Sequence, residues 1–412
     1  MSARQPHPPS MRAGSSTDTL LSDQPVLEVR GLHVEIAQGF HKLVHAVSGV
    51  DLSISHKETL GLVGESGCGK TTTGKAIAGL IRVTRGNIVI SGTEVDGISA
   101  KESRKLRQKV QFIFQDPISS LNPRRKILNT VMEPMSIWSI GTANERIQRA
   151  TTLLEQVGLD PELVSDRMPY QLSGGQCQRV SIARALMLSP ELLICDEPVS
   201  ALDVSVQATI LNLLNEIQAR YQLSMLFISH DLAVVRSISD RIAVMYMGRL
   251  CESAPTTEIF DHAMHPYTNE LLNSVPSGKI HPPLQGNGQG DEQRHDSGTE
   301  GASSSTGGQD STDGQDGDNT FSTKYASANN NRQDHYPLST TDQDEVPTIP
   351  IAGRAPNEKW QFHEVPSSLA PPSGCRFHTR CPYADALCAS TQPDMIELSP
   401  SHLVACHHPL GM

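Results

Sequence analysis

Between Pro25 and about Glu252, short wholly apolar runs alternate with longer stretches whose apolar residues recur at helical spacing, the pattern of a parallel α/β core. The runs Thr59–Val63, Leu192–Cys195, Met225–Ile228 and Ile242–Met245 are each closed by a polar or small residue. Strands buried on both faces read this way, and chemistry in such sheets gathers where the strands end. On either side the pattern fails. Residues 1–24 are rich in Ser, Pro and Arg without periodicity and read as a flexible leader. From 278 to 345 the chain turns to Gly, Ser, Asp, Gln and Asn, with runs such as Ser303-Ser304-Ser305 and Asn329-Asn330-Asn331; such a segment cannot bury a core and reads as a disordered linker. Ordered composition returns at Val346. The predicted order is leader 1–24, α/β body 25–252, tail 253–277, linker 278–345 and a cysteine-rich module 346–412.

Composition sharpens this division. Over 412 residues the hydrophobic share is 37% and the aromatic share 4%, thin for a wholly globular chain. The formal charge of −11 leaves no large basic footprint for nucleic acid, which is not an expected partner. Asp291–Glu345 holds twelve acidic residues against Arg294, Lys324 and Arg332, so most of the charge belongs to a solvated linker. No stretch approaches the roughly 18 consecutive apolar residues that span a bilayer, and Met1–Leu20 lacks an apolar signal-peptide centre; the chain is expected to stay in the cytoplasm. Eight cysteines are too few for a disulfide scaffold of this length, and reducing cytosol would keep them as thiols or metal ligands.

After the run Thr59–Val63 comes Gly64-Glu65-Ser66-Gly67-Cys68-Gly69-Lys70-Thr71-Thr72, then a helical pattern to about Ile81. This fits GxxxxGK[ST] in its required strand, loop, helix context. The glycines let successive amides converge on phosphate oxygens, and the helix adds its positive end. Lys70 would reach the β and γ phosphates, and Thr71 would ligate Mg²⁺. The run Leu192–Cys195 then delivers Asp196 and Glu197. Asp196 would hold Mg²⁺ and Glu197 would polarise the water attacking the γ-phosphate; the bland alternative is that Asp196 only caps a helix before Pro198. A second anion site is read at Leu172-Ser173-Gly174-Gly175-Gln176, where Ser and Gly amides precede a helix from about Cys177 to Leu188.

These motifs, in this order over roughly Val26 to Glu252, resemble the ATP-binding cassette of ABC transporters. The resemblance implies a P-loop NTPase fold with a RecA-like core, a β-subdomain and a helical subdomain at about 116–171. It implies ATP and Mg²⁺ as ligands. By position, Gln115 matches the Q-loop glutamine that touches Mg²⁺ or water, Ser200-Ala201-Leu202-Asp203 the D-loop, and His230 the switch histidine at the γ-phosphate. Family geometry sandwiches each ATP between the phosphate loop of one cassette and the Ser173–Gln176 loop of another, which explains two anion loops in one chain. Two departures stand out. Aliphatic Ile36 lies where the family stacks adenine on an aromatic, leaving Phe40 or His41 as substitutes, and Cys177 replaces a longer polar residue, which would alter helix packing or add thiol sensitivity.

Beyond the cassette, His265-Pro266-Tyr267-Thr268, Phe114-Gln115-Asp116-Pro117 and Ser120-Leu121-Asn122-Pro123-Arg124 resemble the ATPases of oligopeptide and dipeptide importers, closest to their second, F-type subunit. Taken alone, His265 and Tyr267 read as residues packing a helix onto the core. The resemblance implies two membrane permeases, a second cassette ATPase, an extracytoplasmic substrate-binding protein, and a peripheral location on the cytoplasmic face of the membrane. Cys375, Cys381, Cys388 and Cys406 are also characteristic of that group; five, six and seventeen residues separate them, so the close CxxC pairs of a zinc ribbon are absent. A four-iron four-sulfur cluster, zinc with help from His378, His402, His407 or His408, and plain thiols all remain open. So do nickel or short sugars as cargo, a cassette protein acting on ribosomes or DNA, and a redox-sensing regulator.

Overall fold

The computed structural model describes residues 24–38, 42–95, 99–274 and 366–411. Residues 1–23, Phe40, His41 and the whole linker 278–345 lie outside them. Two sheets organise the rest. The first is antiparallel, formed by β1 (Leu27–Gln38), β2 (Lys42–Ile54), β4 (Arg85–Ile90) and β5 (Thr93–Glu94) in the order β2-β1-β4-β5. The second runs β11-β12-β10-β9-β3-β8-β7-β6. Its members are β3 (Thr59–Val63), β6 (Val110–Ile113), β7 (Leu192–Asp196), β8 (Ser224–Ile228), β9 (Arg241–Tyr246), β10 (Arg249–Pro255), β11 (Ile396–Ser399) and β12 (His402–Val404).

The five strands β9-β3-β8-β7-β6 are parallel, and β3, β7 and β8 are buried at every position. Their apolar runs are legible for that reason: a central parallel strand meets side chains on both faces and has no polar side to show. The expected strands are all present, each within a residue or two of the predicted ends.

Helices depart further from expectation. The helix after the phosphate loop is Lys70–Ile77 rather than reaching Ile81, because Gly79 turns into the left-handed region at φ 66 and closes it. The later helix begins at Gly174, three residues before the expected start, because Ser173 caps it: its hydroxyl accepts the Gln176 amide while the Gln176 side chain accepts the Ser173 amide. Helices Ile127–Ile137 and Ala143–Gln156 pack on this one, and Pro161–Val164 packs on those two, with Val131, Leu153, Leu154 and Val180 in one apolar cluster.

The carboxyl-terminal residues join the same body. Hairpin β11-β12 extends the large sheet, with β12 antiparallel to β10 at Glu252↔Val404. Buried Glu252 gathers three elements: it accepts the Met264 and His265 amides at 2.7 and 3.0 Å and pairs with His402 Nε2 at 2.7 Å. Tyr246, Tyr267 and Phe377 stack in contact, with ring centroids 4.6 to 5.3 Å apart, a geometry that adds to the area they bury.

Candidate active site

Four strands of the parallel sheet end at one cleft. Its volume is about 730 Å³, lined by Ser66, Gly67, Gly69, Lys70, Thr71 and Thr72 after β3, Gln115 and Asp116 after β6, Glu197, Ser200 and Ala201 after β7, and His230 after β8. Glycine is required where the loop crosses the strands beside it: Gly69 sits at φ 108, and a Cβ there would lie 2.2 Å from the Ala46 carbonyl oxygen. Lys70 is buried, its Nζ donating to the carbonyls of Gly64 and Glu65 at 2.7 and 2.9 Å, so an ammonium stands inside the loop, with no carboxylate paired to it among the described residues.

Asp196 closes β7 and is no helix cap; the next helix starts at Val204, behind Asp203. Its carboxylate accepts the Thr71 hydroxyl at 2.7 Å. Burial pushes the Asp196 carboxyl up, against that hydrogen bond and the charge of Lys75. A hydroxyl and a carboxylate held at one point beside a phosphate-loop lysine fit Mg²⁺, whose hard oxygen ligands are of this kind.

Glu197 adopts φ 45, a left-handed conformation that costs a non-glycine residue energy. The strain turns its side chain into the cleft, where Gln115 Nε2 donates to one carboxylate oxygen at 2.9 Å and His230 Nδ1 lies 3.2 Å from the other. The three residues read as catalytic therefore meet. The Ser173–Gln176 loop does not join them: none of its residues lines the cleft, and Ser173 is exposed at the start of its helix.

Other expectations shift. Glu65 and Cys68 do not line the cleft. The Glu65 amide donates to the Tyr267 hydroxyl at 2.9 Å and its carboxylate takes Arg380 Nη1 at 2.8 and 3.0 Å, so Glu65 faces the carboxyl-terminal module. Tyr267 thus does more than pack. Cys177 is fully buried, its thiol donating to the Pro169 carbonyl, and burial raises it; the expected thiol sensitivity gives way to packing. Three of the histidines weighed as zinc ligands are engaged elsewhere, His378 with the Cys375 carbonyl, His402 with Glu252 and His407 with the Thr391 carbonyl, while His408 pairs with Asp385 close to Cys388.

The four late cysteines are unbridged, Cys388 buried and Cys375, Cys381 and Cys406 partly so. Burial raises every one, Cys406 to about 12; Cys381 also feels the other three, and Cys406 feels Cys375 and Cys388. Backbone amides of Phe377 and His378 point at the Cys375 sulfur and that of His408 at Cys406, which opposes the effect of burial without overcoming it. Among the described residues, only Asp385, Cys388 and His408 bring three ligand atoms within 4.8 Å of one another.

Two family models match the chain: "ABC transporter" over residues 47–200, and "Oligopeptide/dipeptide transporter, C-terminal region" over residues 251–299 and 350–388. The chain is 38% identical over 396 residues to the oligopeptide transport ATP-binding protein AppF of Bacillus subtilis, spanning 94% of this chain and 99% of that one. It is 38% identical over 392 residues to the oligopeptide transport ATP-binding protein OppF of Salmonella typhimurium, spanning 92% and 95%. Among solved structures it is similar to the dimeric ATP-binding cassette MJ0796 in a post-hydrolysis state with ADP and Pi, at TM-score 0.51 and 29% identity over 56% of this chain and 98% of that one. No helix among the described residues is long and apolar enough to cross a membrane.

Proposed function

The chain belongs to the ATP-binding subunits of the ABC oligopeptide and dipeptide transporters, and on that premise we propose that it drives peptide import by working two separate membrane permeases from their cytoplasmic face. It is an ABC-type ATPase with a P-loop cassette and acts on ATP with Mg²⁺. The observation that carries the reading is the meeting of Lys70, Asp196, Glu197, Gln115 and His230 at the ends of β3, β6, β7 and β8, coupled to a tail of the peptide-transporter type. Peptide cargo is supported by the names of AppF and OppF, and an extracytoplasmic binding protein would deliver it.

The chemistry follows from the geometry. Amides of the cleft-lining loop residues Ser66, Gly67, Gly69, Lys70, Thr71 and Thr72 and the Lys70 ammonium hold the β and γ phosphates at the helix N-terminus. Mg²⁺ held by Thr71, Asp196 and Gln115 would neutralise phosphate charge. Glu197 accepts a proton from the attacking water, and Gln115 and His230 fix the direction of its carboxylate. Ser173, Gly174, Gly175 and Gln176 lie outside this cleft and serve the ATP of a second cassette, identical or homologous; the dimeric MJ0796 structure supports that pairing. Closure over nucleotide and release after cleavage would move the permeases. Purified with two polytopic membrane proteins, the chain is expected to hydrolyse ATP faster when peptide-loaded binding protein is added. Cosedimentation with ribosomes and no membrane partner would overturn the transport reading.

We infer that Cys375, Cys381, Cys388 and Cys406 hold a four-iron four-sulfur cluster. Four unbridged cysteines within one module supply the four-thiolate donor set that such a cluster takes. When bound, a cluster supplies a crosslink among the loops and a one-electron centre. The trio Asp385, Cys388 and His408 has an ordinary explanation: Asp385 caps the helix Ala386–Ser390 through the Cys388 amide and pairs with His408. Anaerobically purified protein is expected to be brown with thiolate-to-iron absorption that Cys381→Ser removes. Colourless protein carrying one zinc would overturn the assignment.

A further inference from the structure

The phosphate loop is gripped from outside by a residue that lies 315 positions away in sequence. Arg380 Nη1 donates to both carboxylate oxygens of Glu65 at 2.8 and 3.0 Å, while Nη2 reaches Glu270. The guanidinium lies 5.7 Å from the Tyr246 ring centroid and 5.6 Å from that of Phe377, positions suited to cation–π attraction. Only 13% of the Arg380 side chain and 25% of the Glu65 side chain remain exposed. This is no flexible surface pair: the fork lies against two rings and is bonded by carboxylates from two elements.

The position matters because of what Glu65 adjoins. Its carbonyl accepts the Lys70 ammonium at 2.9 Å, and its amide is committed to Tyr267. Glu65 therefore sits between the lysine that meets phosphate and the carboxyl-terminal module. A carboxylate in a loop built to receive a triphosphate repels it unless neutralised. Arg380 supplies the neutralising charge and fixes the loop residue whose carbonyl orients Lys70.

We propose that Arg380 is a positioning residue for ATP, acting through Glu65 to hold the phosphate loop in its receptive shape, so that the carboxyl-terminal module sets nucleotide affinity. This rests on the ATPase reading and is independent of what the four cysteines hold. Arg380 touches neither nucleotide nor reacting atoms, so its influence falls on binding and leaves turnover at saturation largely intact.

The test is a double-mutant cycle on the full-length chain, reading KM for ATP, kcat and equilibrium binding of a fluorescent ATP analogue. Arg380→Met is expected to raise KM and the analogue's Kd at least about fivefold, the lower range of intersite coupling, with kcat within about twofold. In a Glu65→Gln background the same change is expected to alter either constant less than about twofold, because its partner charge is gone. The Glu65→Gln chain keeps the Arg380–Glu270 pair, so it reads the loop even if Arg380→Met loosens the module. A KM unchanged by Arg380→Met overturns the proposal, and so does an equal rise with Glu65 replaced. Loss of all turnover on Arg380→Met in both backgrounds, with the thermal unfolding midpoint lowered in both, also overturns it by assigning Arg380 to folding; failure of the ATPase reading itself would instead show as an unmodified chain without turnover.

Discussion

Glu197→Gln is expected to lower kcat for ATP by about a hundredfold or more, the range of a general base, while ATP stays bound and holds two cassettes together. The substitution keeps size and shape. The amide oxygen can still accept from Gln115 Nε2, which bonds the Glu197 carboxylate at 2.9 Å, so the cleft geometry survives. What disappears is the proton acceptor. An amide cannot take a proton from water, and His230, exposed at the rim, is placed to orient a carboxylate rather than to replace one. Since the closed dimer opens after cleavage in this scheme, its lifetime should lengthen in step with the loss of turnover. Single-turnover phosphate release and size-exclusion in ATP measure both. Turnover within twofold of the unmodified chain would remove Glu197 from the chemistry.

The backbone supports this reading in a way composition could not. Glu197 is one of few described non-glycine residues at positive φ, and Gly would be more stable there. Its strain is sustained because buried β7 and the Glu197 amide bonded to the Ile228 carbonyl leave no other path. In sequence, only the unusual ending of an apolar run in Asp196 and Glu197 hinted at function; the φ angle has no sequence signature when Gly is absent.

Local rules made the core and phosphate loop legible. Apolar runs fix buried strands, and GxxxxGK[ST] names its own geometry. Helix ends were less legible because caps compete: a pattern that continued past Gly79 was cut by one left-handed residue, and Ser173 with Gln176 began a helix earlier than its apolar face implied. The links from the carboxyl terminus to the cassette were invisible. Glu65–Arg380 and Glu252–His402 join positions 315 and 150 residues apart, and no periodicity relates partners across such loops. The one available signal was chemical: a buried acid such as Glu252, set between Cys251 and Ser253, demands a partner somewhere.

Lys70→Ala is expected to raise the Kd for ATP by roughly a hundredfold, about 3 kcal/mol for removing a charge-assisted hydrogen bond to phosphate inside a shielded loop, and to stop uptake. Ala is the strongest helix former, so the helix Lys70–Ile77 should persist and the fold with it. The loss would fall on the ammonium alone, now bonded to the carbonyls of Gly64 and Glu65 and free to exchange them for phosphate oxygens. Because burial leaves Lys70 at 4% exposure, water cannot fill in for it as it would on an open surface. Titration with labelled ATP, alongside thermal unfolding to show that the protein still folds, separates binding from stability. Retained affinity together with retained uptake would mean that phosphate is held by backbone amides without the lysine, and the charge scheme of the cleft would fall.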